Sequence, residues 1–154
     1  MEQLSISDES RPDLDNLLET LLPIAEDQLQ KRGFFTPFAA SVDTEGKMAF
    51  TMPYPDSRDT PIPDLIMMVK KGFQKKAVEN AIRAAAICYD GRLRPVSGGK
   101  ARDAVFIDME HKCGDAVTIA APYSKKFLKG IVFGDTIALP PEPSFFGSQS
   151  DDAA

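Results

Sequence analysis

The chain has few of the residues that build metal and redox centres. It contains one histidine, His111, two cysteines, Cys88 and Cys113, and no tryptophan. The cysteines do not form a C-x-x-C pair, and neither a complete P-loop nor a G-x-S-x-G elbow occurs. With one histidine, any Ser-His-Asp or Cys-His arrangement must use His111. We therefore predict no metal site and no cofactor.

Long apolar runs and an excess of basic charge are also missing. No stretch approaches the roughly 20 apolar residues that span a bilayer. Residues 1–11 lack the basic and apolar regions of a secretory signal, so we expect a cytoplasmic protein with no membrane partner. The chain has 18 Lys and Arg against 23 Asp and Glu, a net charge of −5. That balance disfavours a nucleic-acid partner, because phosphate contacts need Lys and Arg.

What is present is an ordinary globular composition. The 154 residues are 43% apolar and 27% charged, which suits one folded domain. We assign residues 1–139 to a single α+β domain. Residues 140–154 are rich in proline and then in serine and aspartate, which predicts a flexible tail.

Hydrophobic periodicity gives the order of the elements. Apolar residues at helical spacing predict helices over 14–32 and 62–80, the first kinked or split at Pro23. Alternation predicts a hairpin over 34–54 and four later strands, at 83–90, 104–110, 117–121 and 127–139. The order is α-β-β-α-β-β-β-β. It predicts an α+β two-layer sandwich, with two helices on one face of a mainly antiparallel sheet of about six strands.

The segment with the richest chemistry contains Asp108, Glu110 and His111, close to Cys113 and Asp115. Carboxylates and imidazole can bind zinc or act as acids and bases, so Asp108, Glu110 and His111 are the catalytic candidates. On a strand, however, Asp108 and Glu110 share one face and His111 points to the other. A solvated hairpin end is the simpler interpretation.

Other side chains are candidates for binding. Tyr89, Arg92, Arg94 and Tyr123 could line a pocket where the sheet meets the loops 55–63 and 91–102. In the tail, Phe145 and Phe146 follow a proline-rich strip. Such paired aromatics dock on a groove of another chain or fold back on their own core, and the sequence leaves both options open.

Several segments resemble a known group of proteins. They are Gly33 to Ala40 with Asp43 and Gly46, Ile82 to Asp90, Asp103 to Val105, Glu110-His111, and Pro122-Tyr123. Together they resemble a family of small uncharacterised bacterial cytosolic proteins with no assigned activity, over most of residues 20–135. The resemblance implies a bacterial cytosolic origin and an intact domain, and it transfers no catalytic residue.

The absence of a catalytic motif favours a protein that is not an enzyme. We predict a non-enzymatic protein-binding or regulatory module, with an immunity-type role among the options. Its partner would be another protein or a second copy in a homodimer, because open antiparallel sheets have pairing edges. The alternative is a small-molecule-binding protein or enzyme with a polar site around Asp108, Glu110 and His111.

Overall fold

A computed structural model describes residues 6–53, 60–95, 98–142 and 145–146. Two helices and seven strands follow one another in the order α-β-β-α-β-β-β-β-β, which confirms the predicted α+β class. They are α1 Arg11–Arg32, β1 Phe38–Asp43, β2 Met48–Thr51, α2 Ile62–Val78, β3 Ile82–Leu93, β4 Arg102–His111, β5 Ala116–Lys126, β6 Gly130–Phe133 and β7 Ile137–Leu139.

The first helix buries one leucine-rich stripe. Leu17, Leu21 and Leu29 are fully buried, and Gly33 ends the helix in the left-handed region, at φ 80°. Its amide donates a 2.9 Å hydrogen bond to the carbonyl of Leu29, the usual bond of a glycine C-cap. Pro23 lies on the exposed side and does not split the helix in two. Neither helix in the described ranges is long and apolar enough to cross a membrane.

The strands form one mainly antiparallel sheet in the order β2-β1-β3-β4-β5-β6, and β7 pairs with another part of β5. Each of these pairings is antiparallel, including those of β1 with β3 and β5 with β7, which no tight turn joins. The single strand predicted over 127–139 is two strands, β6 and β7. The bonding of β6 to β5 ends at Gly134, whose amide donates to the Pro122 carbonyl at 2.8 Å, and β7 begins at Ile137.

The two helices lie on opposite faces of this sheet, not on one face as predicted. Along β3, Ala84, Ala86 and Cys88 belong to the core cluster of α1, whereas Ala85 and Ile87 belong to that of α2. All five residues are fully buried. A strand that is apolar on both faces needs a cover on each. The short side chains of alanine leave both helices room to approach.

A β-bulge at the start of β3 changes which way one side chain points. The register with β1 shifts between Val42 and Asp43, so Asp43 pairs with Ile82 while Val42 pairs with Ala84. The extra residue, Arg83, therefore points to the same face as Ala84, as in a bulge of this kind. That orientation brings its guanidinium to α1.

Candidate functional site

Strand β2 forms an edge of the sheet. In the described part of the chain, β1 is its only strand neighbour. The Asp43 amide donates to the Lys47 carbonyl at 2.9 Å, and the register continues with Ser41 opposite Ala49. Bonding alternates along an antiparallel strand, so the N–H and C=O groups of Met48 and Phe50 point away from β1. These main-chain groups are available to another strand.

An apolar groove runs beside this edge on the face that α1 covers. Its volume is about 480 Å³. The lining comes from α1, from the segment that joins α1 to β1, and from β2: Ile24, Gln28, Arg32, Phe34, Phe35, Thr36, Phe38, Ala39, Phe50, Thr51 and Met52. Phe50 and Met52 remain 55% and 61% exposed, which is unusual for large apolar side chains that lie close together.

The end of α1 explains the shape of that groove. After the left-handed turn at Gly33, Phe34 points outward and Phe35 points into the core, where it meets Phe38 edge-to-face at 5.9 Å. The guanidinium of Arg32 lies 4.8 Å from the centre of the Phe34 ring. This distance suits a cation–π contact, so a positive charge stands at the rim of the groove.

A second, smaller cavity lies on the opposite face of the same strand. Its volume is about 190 Å³, and it is lined by the end of β2 and one side of α2: Thr51, Met52, Pro53, Met68, Val69, Gly72, Phe73 and Lys76. Met68 and its neighbour Met67 are both exposed. Methionine side chains adapt to irregular partners, so this surface can accommodate different apolar groups. We call the strand with its two grooves the β2 edge surface.

The catalytic candidates Asp108 and Glu110 share the face of the sheet that α2 covers. Asp108 accepts a 3.0 Å hydrogen bond from the Tyr89 hydroxyl and a 2.9 Å bond from Thr118. Burial, together with the charge of Asp108, raises the pKa of Tyr89 above its usual value. Tyr89 thus stays protonated and donates a hydrogen bond to Asp108, and its ring stacks on Phe106 with ring centres 5.5 Å apart.

Glu110 fixes the last described part of the chain. Its carboxylate accepts hydrogen bonds from the amides of Phe145, at 3.0 Å, and Phe146, at 3.1 Å. Both phenylalanines are buried, and Phe145 meets Phe73 of α2 edge-to-face at 5.2 Å. Within the stretch predicted as a flexible tail, these two residues therefore pack on their own core. The remaining residues from 147 to 154, with 143 and 144, lie outside the described ranges.

His111 points to the opposite face and is 4% exposed. Its Nδ1 accepts the Cys113 amide proton at 3.2 Å, so in this geometry the ring proton resides on Nε2. Nε2 donates to Asp13 at 3.0 Å, and Arg83 donates two further bonds to that carboxylate, at 2.8 and 3.0 Å. Burial alone would raise the pKa of Asp13, but the bonds from Arg83 and His111 hold it below its usual value.

A second group of hydrogen bonds joins the β4–β5 turn to the start of α1. Asp115 accepts bonds from the Ser10 hydroxyl at 2.6 Å, the Ser7 hydroxyl at 2.7 Å and the Ser7 amide at 2.8 Å. These donors lower the pKa of Asp115 well below its usual value. Asp108, Glu110, His111 and Asp115 are close in sequence, but each side chain bonds to a different part of the protein. Glu110 and His111 are buried, which differs from the solvated hairpin end that we predicted.

Tyr123 and Arg92 lie close to two carboxylates at the far end of β3. The Tyr123 hydroxyl donates to Asp90 at 2.7 Å, and Arg92 contacts Asp103 at 3.3 Å. Burial, with the nearby charge of Asp103, raises the pKa of Asp90 despite the bond from Tyr123. Arg94 is exposed beyond this group. Residues 55–59 and 96–97 of the two loops predicted to border a pocket lie outside the described ranges.

The described residues offer little basis for metal binding or for thiol catalysis. No group of three or more His, Cys, Asp or Glu side chains there has the arrangement to hold a metal ion. Cys88 is fully buried, and its burial raises the pKa of the thiol, which makes the thiolate harder to form. Cys113 is exposed in the β4–β5 turn.

The β2 edge surface was not among the sequence-predicted sites. Alternation predicted only a strand of the hairpin over 34–54, and the sheet order leaves Phe50 and Met52 of that strand exposed at an edge. Searches against protein-family models, curated proteins and solved structures find no match to this chain.

Proposed function

We propose that this protein is a non-enzymatic binding module that takes up an extended segment of a partner protein along β2. One observation carries the proposal: the open edge of β2 coincides with an apolar groove on each face of the same strand. A segment added as a strand would bond to the outward groups of Met48 and Phe50. Its alternate side chains would enter the two grooves, as in β-strand addition.

The chemistry of the grooves indicates the composition of that segment. Apolar side chains suit both linings, and the exposed methionines Met52, Met67 and Met68 adapt to their shape. Arg32 and Lys76 put a positive charge beside each groove. We therefore expect an extended apolar segment with acidic residues next to its apolar ones.

A second copy of the chain is the other candidate occupant, and it would give a homodimer. A two-fold interface requires a patch that is complementary to itself. The β2 edge surface is concave on both sides of the strand, so two copies would place groove against groove. An extended segment from a different protein fills these grooves better, and we favour it.

A polar site around Asp108, Glu110 and His111 has less support as an alternative. Each of these side chains bonds to another part of the protein, and His111 lies across the sheet from the other two. Segment binding suits a regulatory or immunity-type protein. The family resemblance implies that it works in the bacterial cytoplasm.

The test selects peptides from a random library on the full chain and locates them by amide hydrogen exchange. We expect a selected peptide to slow exchange at the amides of Met48 and Phe50. The Phe50 amide points away from β1, so Phe50→Pro removes this N–H without breaking a bond to β1. Proline is tolerated at such a position of an edge strand. We expect this variant to lose binding. The matched control Phe50→Ala keeps the amide, and we expect it to weaken binding by about tenfold.

Three results would contradict the proposal. Selected peptides could protect amides elsewhere in the sheet, or Phe50→Pro could bind them as tightly as the wild type. A dimer in sedimentation that Phe50→Pro converts to a monomer would identify a second copy as the occupant. Thermal unfolding of both variants verifies that they remain folded.

A further inference from the structure

The turn between β5 and β6 exposes two large apolar side chains almost completely. Phe127 is 89% and Leu128 is 88% exposed, the two highest values among the large apolar residues described. Lys125, Lys126 and Lys129 flank them, and all three lysines are exposed as well. We call residues 125–129 the β5–β6 tip. Its two apolar side chains are thus flanked by basic ones.

Leu128 is also unfavourable for the backbone. Its φ is 69°, in the left-handed region that bulky residues rarely adopt. Glycine, asparagine or aspartate would fit this turn position better and would also be better hydrated. Nothing that Leu128 contacts in the fold offsets either cost, since the side chain is exposed. An unfavourable residue that the fold does not require is a reason to look for a binding role.

The base of the hairpin is held firmly, so the tip has a fixed position. The side-chain amide of Gln30, on α1, donates to the Ile131 carbonyl at 2.9 Å and accepts from the Ile131 amide at 3.1 Å. The Lys129 amide donates to the Lys126 carbonyl at 3.1 Å and closes the turn. Phe127 and Leu128 are thus presented by an ordered element.

We infer that the β5–β6 tip inserts Phe127 and Leu128 into the surface of a lipid bilayer that carries anionic headgroups. The apolar pair would enter the boundary with the acyl chains, while the three lysines contact the headgroups. The chain as a whole carries a charge of −5, so an anionic surface repels most of it. The positive charge of the tip would therefore direct this part of the protein toward the membrane.

A bilayer fits the tip better than a nucleic acid does. Phosphate binding would use the lysines but would leave the two apolar side chains without a purpose. The sequence predicts no membrane partner, but contact at the surface requires no spanning helix. The tip adjoins β6, at the opposite end of the sheet from β2. Both surfaces could be occupied together, so the protein would bring a bound segment to the membrane.

The test is sedimentation of the full chain with vesicles of phosphatidylcholine, alone or mixed with phosphatidylserine. We expect binding to the mixed vesicles that weakens with added salt, and little binding to phosphatidylcholine alone. The double variant Phe127→Ser/Leu128→Ser should lower the affinity by about tenfold or more. Lys125→Gln/Lys126→Gln should remove the preference for phosphatidylserine.

Matched controls change similar residues elsewhere. Val78→Ser removes another exposed apolar side chain, and Lys70→Gln/Lys71→Gln removes two lysines of α2; we expect both to bind like the wild type. Equal binding to the two vesicle types, or no binding, would overturn the inference. So would unchanged binding of the Phe127/Leu128 variant, or a change in its oligomeric state without vesicles, which would identify the tip as a contact between copies.

Discussion

The Nε2 atom of His111 lies 3.0 Å from Oδ2 of Asp13, although 98 residues separate them in the chain. This bond joins the end of β4 to the first turn of α1, and Arg83 binds the same carboxylate from the bulge in β3. The only histidine of the chain thus connects the sheet to a helix. The predictions below test contacts of this kind.

We predict that His111→Ala destabilises the fold by about 2–3 kcal/mol, because it leaves a cavity and removes a donor from the buried Asp13. Urea unfolding measures the loss. Lys112→Ala changes an exposed neighbour, and its effect should stay within about 0.5 kcal/mol. Equal stability of the two variants would contradict a structural role for His111.

Stability should fall as the pH drops below about 4, the ordinary pKa of an aspartate in an unfolded chain. The pKa values of Asp13 and Asp115 are lower in the folded state. On acidification the unfolded chain therefore takes up protons first, and acid favours unfolding. Asp115→Asn should flatten this fall in urea unfolding across the acid range, and a fall as steep as that of the wild type would contradict the prediction.

Gly91→Ala should destabilise by about 1–2 kcal/mol through overpacking. A Cβ at this position would lie 3.0 Å from Cε1 and 3.1 Å from Cδ1 of Phe106. The ring of Phe106 therefore needs a glycine beneath it. In a Phe106→Ala background the same change should cost much less, and a double-mutant cycle in urea measures the coupling. Additive effects would show that the ring is not the obstacle.

Glu110→Ala should release Phe145 and Phe146 from the sheet, because both amides lose their acceptor. We expect their hydrogen exchange to accelerate by about tenfold or more, since a charge-assisted bond is worth about 1.5–3 kcal/mol. Glu19→Ala, on the exposed side of α1, is the control. Unchanged protection of both amides in Glu110→Ala would mean that aromatic packing alone holds this segment.

Leu128→Gly should stabilise the protein by about 1 kcal/mol, because glycine adopts the left-handed conformation without strain. Phe127→Gly should bring no such gain, since the positive φ belongs to Leu128. Thermal unfolding compares the two variants. In the vesicle assay Leu128→Gly should bind less tightly, so stability and membrane affinity would change in opposite directions. A loss of stability would show that the turn needs leucine.

Local pattern predicted most of the elements. The leucine spacing of α1, the stop at Gly33 and the hairpin after Val42 depend on residues that are neighbours in the chain. The sequence predicted one strand over 127–139 where the structure has β6 and β7, because Gly134 interrupts an apolar stretch without a strong turn signal. The apolar run from Ala84 to Cys88 contained the sign that β3 is covered on both faces. The prediction placed both helices on one face of the sheet and therefore did not include α2 on the second face of β3.

The candidate sites depended far more on the tertiary structure. Asp108, Glu110 and His111 looked like one cluster because they adjoin in sequence, but strand alternation and distant partners separate them. The bulge that turns Arg83 toward Asp13 depends on the pairing of β1 with β3. Of the two strands of the first hairpin, β2 lies at the edge because β1 also pairs with β3.

The sequence by itself determined the helices, the hairpins and the α+β class, because hydrophobic periodicity and turn residues act between near neighbours. Only the tertiary structure decided which helix covers which face, which strand is left at the edge and which polar groups meet. Those outcomes depend on pairing between distant segments. The open edge of β2 and the exposure of Phe127 and Leu128 are likewise decided by the assembled sheet. Whether an apolar side chain is buried or exposed depends on which distant elements pack over it.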